Sequence, residues 1–335
     1  MKIFAIESSC DESAIAVLGG DERKFLIESI DSQIPVHRHY GGVVPELAVR
    51  GHLAALPRLI DQWQKSELFS VPDLIAVTYG PGLAGGLAMG LGAARALSIY
   101  YNRPLVGINH LRGHAFSPFI PPWESNQKIC DFFPHLGLLV SGGNTLLFTI
   151  GAGGDMDVHC RTVDDAAGEA LDKGAKLLGL PYPGGVRMEK LAESGDSHAF
   201  DFPCAFRGDN SKLSFSGLKT SLLYRLRKMT IEEIDHRKND LCASYLHAVC
   251  RPLCEKVKNH IKTFRPRSVG ISGGVSQNRK LRREIECVCA SFSCPLLCAH
   301  PRHCGDNASM IAFAAYVDRI HGEETPRSFH PKLTL

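Results

Sequence analysis

Lys2-Ile3-Phe4-Ala5-Ile6-Glu7-Ser8-Ser9-Cys10-Asp11-Glu12-Ser13-Ala14-Ile15-Ala16-Val17-Leu18 holds two apolar runs, residues 2–7 and 13–18, around a turn of hydroxyls and carboxylates. Such a pattern predicts a hairpin with a polar tip. It returns in Leu136-Gly137-Leu138-Leu139-Val140-Ser141-Gly142-Gly143-Asn144-Thr145-Leu146-Leu147-Phe148-Thr149-Ile150, again two strand-like runs about a short polar turn. Each hairpin is followed by a strand, a glycine turn and a helix. In the first half these are residues 73–78, Gly80-Pro81-Gly82 and 83–100; in the second, residues 268–271, Ser272-Gly273-Gly274-Val275 and a helix from 277 onward. Recurrence of the whole unit predicts an internally duplicated α/β chain. Between the repeats, helical spacing marks residues 163–178, 185–193, 214–228 and 239–263, and a last helix covers 307–320 before a polar tail that reads as loosely held.

At 335 residues the chain can form two domains, each with its own core. Hydrophobic residues at 44% and charged ones at 22% describe a globular protein, and a formal charge of +3 permits a nucleic-acid partner without arguing for one. Twelve cysteines with no Cys-x-x-Cys fit a reducing cytoplasm better than a disulfide scaffold. The first apolar run is too short for a signal peptide. The uncharged stretch 79–94 is short of the ~20 residues that span a bilayer, so it is expected to be a buried helix.

The strongest chemical signal is Asn109-His110-Leu111-Arg112-Gly113-His114, directly after the strand-like run 104–108. Two imidazoles four apart on a helical turn share one face and can share one metal ion, at the carboxyl end of a strand where open α/β sheets bind ligands. The plain alternative is a solvated helix face. Asp306, after the run 295–299 and before a helix, is the first candidate for a further ligand. His-Glu-x-x-His is absent, because Leu111 stands where that pattern has its glutamate. Cys287, Cys289, Cys294, Cys298, His300, His303 and Cys304 also cluster, but their irregular spacing favours ordinary buried thiols over a second zinc site.

Two polar hairpin tips and a glycine turn opening a helix would offer backbone N–H groups to phosphate, although neither a P-loop nor a dinucleotide fingerprint is present. The motifs Ile6 to Ser13, Gly41-Gly42-Val43-Val44-Pro45-Glu46-Leu47-Ala48, Tyr79-Gly80-Pro81-Gly82-Leu83, Asn109 to His114, Val140-Ser141-Gly142-Gly143-Asn144-Thr145, Asp164-Asp165-Ala166-Ala167-Gly168-Glu169-Ala170-Leu171-Asp172-Lys173, Ser214-Phe215-Ser216-Gly217-Leu218-Lys219-Thr220 and Gly273-Gly274-Val275 with Asn278 closely resemble the tRNA N6-adenosine threonylcarbamoyltransferase family, TsaD of bacteria. They run in order through essentially the whole chain. The resemblance implies a duplicated actin-like, Hsp70-like ATPase (ASKHA) fold with two subdomains around a nucleotide and metal cleft. Residues 1–134 with 306–335 would form the first subdomain, and 135–305 the second, with a helical insertion.

It further implies cytoplasmic transfer of a threonylcarbamoyl group from threonylcarbamoyl-AMP to the N6 amine of the adenosine 3′ of the anticodon in tRNAs reading ANN codons. By motif, His110, His114 and Asp306 resemble the metal ligands, with Fe2+ the usual divalent ion and Zn2+ the alternative. Leu139, Val140, Ser141, Gly142, Gly143, Asp172, Gly185 and Asn278 resemble contacts to the bound nucleotide, threonylcarbamoyl-AMP or ATP. Asp172 suits ribose hydroxyls, and Asn278 suits either a base edge or a helix cap. Asp11 or Glu12 is expected to assist the amine proton. Expected partners are tRNA, a paralogous TsaB-type subunit, a TsaE-type ATPase and a separate synthase that supplies the donor, with no membrane. Gly305 and Asn144 depart from the usual Thr and His. A metal-dependent peptidase lacks its base, a small-molecule kinase of the same fold would need no histidine pair, and a silent scaffold would not keep metal residues.

Two stretches suggest surfaces. Arg279, Lys280, Arg282 and Arg283 are either a solvated face or a tRNA contact. In helix 83–100, Gly85, Gly86, Ala88, Gly90, Gly92, Ala93 and Ala94 leave little bulk, and glycines cost a helix about 1 kcal/mol each relative to Ala, so a close neighbour is expected, the paralogous subunit being one choice.

Overall fold

The computed structural model describes residues 1–206, 208–321 and 329–335. Its contacts divide the chain into a first unit, Met1–Asp131 with Cys298–Leu335, and a second, Phe132–Leu297; the boundaries expected from the sequence are 134/135 and 305/306.

The first unit opens with strands β1 (Lys2–Glu7), β2 (Glu12–Gly19) and β3 (Lys24–Ser32) in an antiparallel meander, then α1 (Ile34–His37), α2 (Pro45–Gln64), β4 (Leu74–Gly80), α3 (Ala84–Tyr101), β5 (Leu105–Asn109), α4 (His110–Phe116) and α5 (Ile120–Glu124). Its sheet has the order β3-β2-β1-β4-β5, with β4 parallel to β1 and β5 parallel to β4. Ile3, Phe4, Ala5 and Ile6 are all fully buried, so β1 is covered on both faces, as its unbroken apolar run requires. Pro45 in the first turn of α2, where no N–H is needed, fixes the start of that helix. Leu56, Leu59 and Trp63 of α2 and Leu91, Ala94 and Leu97 of α3 then pack on the sheet, with Trp63 4.2 Å from Phe4 between ring centroids.

The neighbour that the small residues of α3 require lies in this chain. A Cβ on Gly86 would stand 2.3 Å from the Ser8 carbonyl oxygen, and one on Gly90 2.2 Å from Ser8 Oγ, so α3 presses against the turn after β1. That face is closed to another subunit, which corrects the expectation for Gly90. Gly92 differs, since nothing stands within 4 Å of its added Cβ.

The second unit repeats the plan. Its strands are β6 (His135–Val140), β7 (Thr145–Ile150), β8 (Met156–Thr162), β9 (Lys212–Leu213), β10 (Ser268–Ser272) and β11 (Leu296–Cys298), in the order β11-β10-β6-β7-β8-β9. In the hairpins, Lys2 to Glu7 pair with Gly19 to Ala14, and His135 to Val140 pair with Ile150 to Thr145; β4 lies parallel to β1 as β10 does to β6. Its helices are α6 (Ala167–Leu177), α7 (Gly184–Ala192), α8 (Ser216–Leu226), α9 (Ile231–His236), α10 (Lys238–Phe264) and α11 (Arg279–Ser291).

The chain returns to the first unit with α12 (Ala308–His321), whose Met310 to Ala315 are at most 1% exposed and which covers β1 and β2. The tail expected to be loose falls partly on residues 322–328, outside the described residues. The rest is bonded to the first unit: the His330 amide donates to the Tyr79 carbonyl (2.7 Å), the Gly82 amide to that of Pro331 (3.2 Å) and Asn109 Nδ2 to that of Thr334 (2.9 Å). Among the described residues no helix is long and apolar enough to cross a membrane.

Candidate functional site

The end of β5 places the histidine pair. Asn109 caps α4, its Oδ1 accepting from the Leu111 amide at 2.8 Å, so His110 and His114 fall one turn apart on a short buried helix. Their ring centroids are 4.7 Å apart and the rings stand at 88°. Asp306 comes from the other end of the unit, just before α12, where Asn307 Oδ1 accepts from the Met310 amide at 2.9 Å. Gly113 permits the approach, because a Cβ there would lie 2.9 Å from Ile311 and 3.1 Å from Met310. Asp306 Oδ1 stands 3.1 Å from His114 Nε2 and 3.5 Å from His110 Nε2. One donor atom from each of the three residues lies within 4.8 Å of the others. Two imidazole nitrogens and one carboxylate oxygen fit a borderline divalent ion such as iron or zinc with open positions, and fit poorly the all-oxygen shells of calcium and magnesium.

Behind His110 stands Glu7, a residue that sequence reasoning missed. Fully buried, its Oε2 is 3.1 Å from His110 Nδ1, while its Oε1 accepts the Ser9 amide at 2.6 Å and Thr78 Oγ1 bonds to Oε2. Ser9 Oγ is also 3.1 Å from His110 Nδ1. A carboxylate on the far nitrogen fixes the ring's tautomer and aims Nε2 at Asp306, the usual support for a metal-binding histidine. His114 has no such support: its buried Nδ1 has no partner among the described residues.

The electrostatics follow from burial and this ring of acids. Burial opposes charge on His110, but the carboxylates of Asp306 and Glu7 outweigh it and push its pKa up to about 9. Burial likewise opposes ionisation of Asp306, yet His110 and His114 hold it down to about 2. Burial lowers His114. On the hairpin tip, burial together with Asp306 and Asp11 raises Glu12 to about 9, so without a metal it carries a proton at neutral pH and could not act as a base. A bound cation would reverse that. Asp11 is buried beside it, and the Cys10 thiol is pushed up by burial and by Asp306, which makes it unreactive.

The nucleotide candidates all lie in the second unit. Gly142 and Gly143 are exposed at the β6–β7 turn, with open space where a Cβ would be, and the Ser141 amide donates to the Asn144 carbonyl at 2.8 Å. Leu139 and Val140 are wholly buried strand residues, so only their main chain could meet a ligand. Gly273, at φ 84°, lies against the Val140 carbonyl, where a Cβ would come within 2.3 Å. Asp172 Oδ1 accepts the Gly184 and Gly185 amides at 2.7 and 3.1 Å, which ties it to the start of α7. Asn278 caps α11 by accepting the Leu281 amide at 3.0 Å. Both side chains thus have structural duties that the sequence left open.

Among the described residues the cysteine-rich stretch forms no metal cluster; His303 Nε2 instead meets Glu28 Oε1 at 2.5 Å, and Cys304 donates to the Ala299 carbonyl. In the basic cluster, Arg279 pairs with Glu193 and Lys280 with Glu284, both at 3.1 Å, and Arg282 donates to the Ser276 carbonyl.

Comparison with known proteins identifies the family. The family model described as TsaD, tRNA N6-adenosine threonylcarbamoyltransferase, matches residues 24–313. Proteins of that name from Anaeromyxobacter sp. (strain Fw109-5) and Pelobacter propionicus are 44% and 41% identical, over 96% and 97% of this chain and 96% and 94% of theirs. Among solved structures, HypF of T. kodakarensis superposes with a TM-score of 0.64 at 14% identity; 95% of this chain is covered, and the chain spans about half (48%) of HypF. A ROK family protein from Streptococcus pneumoniae gives 0.55 at 14% identity, covering 95% of this chain and 97% of that one. These likenesses show the fold, the duplicated α/β architecture of the ASKHA class. The chain belongs to the tRNA N6-adenosine threonylcarbamoyltransferase family and is a transferase of tRNA modification.

Proposed function

We propose that this chain transfers the threonylcarbamoyl group of threonylcarbamoyl-AMP to the N6 amine of the adenosine 3′ of the anticodon in tRNAs that read ANN codons. The supporting observation is the His110, His114 and Asp306 triad braced by Glu7, in a chain of this family. The bond that forms joins N6 to the carbamoyl carbon, the bond that breaks joins that carbon to the AMP oxygen, and the amine loses one proton. AMP leaves readily from a mixed anhydride, so positioning a poor nucleophile is the main task. A divalent ion on the triad, iron or alternatively zinc, would supply Lewis acidity toward the acyl oxygens. Glu7 keeps His110 aimed. Asp11 or Glu12 would take the amine proton, Glu12 only once a bound cation has lowered its pKa. In the second unit the Ser141-Gly142-Gly143 turn would meet phosphate with backbone N–H groups, and Gly185 and Asn278 would adjoin the nucleoside; Asp172 would reach ribose with the oxygen that α7 does not use.

Partners complete the reading: a paralogous TsaB-type subunit, a TsaE-type ATPase and a separate synthase that makes the donor, all in the cytoplasm. A peptidase is disfavoured because the buried Leu111 stands where its base would be. Mass spectrometry of tRNA nucleosides tests the proposal. Depletion of the protein should remove threonylcarbamoyladenosine, and His110→Ala or His114→Ala should lose both the metal and the product. Undiminished modified nucleoside in depleted cells would overturn it.

A further inference from the structure

The second unit holds a pocket that the reaction above does not use. About 980 Å³ in volume, it is lined by α8, by the segment after it, by α9 with Arg237, and by Phe200. Two guanidinium groups flank the Phe200 ring, Arg225 Cζ 5.1 Å and Arg237 Cζ 4.7 Å from its centroid. Arg237 is fixed by Asp240 at 2.8 Å. Arg225 donates from Nη2 to the Asp201 carbonyl at 3.2 Å, and its buried Nε has no partner among the described residues. Tyr224, 58% exposed, stands beside them with Arg227 Cζ 5.9 Å from its ring, and the exposed Lys228 follows at the end of α8.

The charge balance here differs from that at 279–283, where Arg279 and Lys280 have acidic partners. Residues 216–228 carry Lys219, Arg225, Arg227 and Lys228 and no acid. Of the two pocket acids, Glu233 is spent in a capping box, its carboxylate accepting the Thr230 amide at 2.8 Å. With Arg237 paired to Asp240, Glu232 and Glu233 offset Arg225 and Lys228 within the pocket, and the positive surplus is that of Lys219 and Arg227 beside it. Flat aromatic and guanidinium faces beside the positive surplus of residues 216–228 suit an unstacked base with its phosphate, since every base has a face to stack and every nucleotide an anion to pair.

We propose that this pocket binds an unpaired nucleotide of the tRNA substrate, the base stacking on Tyr224 and the phosphate meeting Lys228 and Arg225. It rests on the reading that tRNA is the substrate. Fluorescence anisotropy of the full chain, assembled with its partner subunits, on labelled unmodified tRNA tests it, with a fully paired RNA duplex as the second probe. Tyr224→Ala should weaken tRNA binding by about five- to a hundredfold while sparing the duplex. Lys228→Ala should lower the slope of log affinity against log salt by about 0.7 to 0.9. Both side chains are exposed, so circular dichroism should show an intact fold, and the KM for tRNA should rise in step with Kd. Unchanged tRNA affinity in both variants, while the parent still modifies tRNA, overturns the pocket and leaves the activity standing. Loss of partner-subunit binding in place of tRNA binding makes the pocket a protein interface and overturns the proposal as well. If the variants lose tRNA binding but the parent makes no modified nucleoside, the pocket stands and the activity falls.

Discussion

A histidine held between two carboxylates already carries a proton, so any metal at His110 must displace it. With its pKa at about 9, metal affinity should climb roughly tenfold per pH unit below that value and level off above it, one proton leaving per ion bound. Isothermal titration in buffers of different ionisation enthalpy counts that proton; an affinity flat from pH 6 to 9 would mean that His110 is neutral. The same shifts set the stability of the metal-free protein. His110 and Glu12 both have raised folded values, so what they contribute is complete below their unfolded pKa values and is lost as pH rises toward 9. Asp306, held at about 2, contributes above its unfolded value near 3.8 and loses that as pH falls through 2. Buried His114 and His135 have lowered values and cost stability as pH falls below 6.5, so the melting temperature of the metal-free protein should peak near pH 6 to 7 and decline toward 9, and metal should flatten the decline. Glu7→Gln keeps the shape but removes the charge behind Nδ1, and should cost about 10- to 100-fold in metal affinity, read by elemental analysis after dialysis. None of this support was legible in the sequence. An acid at a strand's end reads as the start of a turn, and only tertiary contact, 103 positions along the chain, brings it to His110.

Among the elements, α3 offers the sharpest contrast, because two of its glycines look alike in sequence and differ in what they meet. Gly90→Leu would drive a side chain into Ser8 Oγ, 2.2 Å from the new Cβ, and should lower stability by about 1 to 3 kcal/mol, since the hydroxyl must leave its bond to the Gly86 carbonyl and the site is overpacked. Gly92→Leu sets its Cβ at an exposed position with nothing within 4 Å and should be neutral or raise stability by up to about 1 kcal/mol through helix propensity. Urea titration of both variants separates the two cases; equal losses would mean that the whole helix is packed. The buried strands and the longer helices were legible because burial on one or two faces writes its period directly: the strand at 145–150 agrees with the pattern. β8 was not, since Met156-Asp157-Val158-His159-Cys160-Arg161-Thr162 is half exposed and mixes charges with apolar residues, so its pairing with β7 and β9, more than its own pattern, makes it a strand. For the same reason the helix expected from 163 begins at Ala167, after a turn in which Thr162 Oγ1 donates to the Asp165 carbonyl.

For the molecule as a whole, the duplication separates the candidate metal residues from the candidate nucleotide residues. His110, His114, Asp306, Glu7, Asp11 and Glu12 all belong to Met1–Asp131 and Cys298–Leu335, whereas Asp172, Gly185, Asn278 and the 141–144 turn belong to Phe132–Leu297. Within the first unit, His114 and Asp306 are 192 positions apart, so an ion on the triad would clip the returning segment with α12 to the segment that carries α4. Closing so long a loop restricts the unfolded chain more than closing a short one, and an ion that binds only the folded form adds stability as the logarithm of its concentration over Kd. Chelation should then loosen the first unit selectively. In hydrogen exchange, amides of the turn after β1, of α4 and of the start of α12 should lose protection when the metal is stripped, by up to about 100-fold if the ion had been present at 100 times its Kd. Amides of β6, β7 and α10 should keep theirs. Equal loss of protection in residues 132–297 would show that the ion stabilises the chain as one cooperative body, and the division of labour between the units would then need another basis.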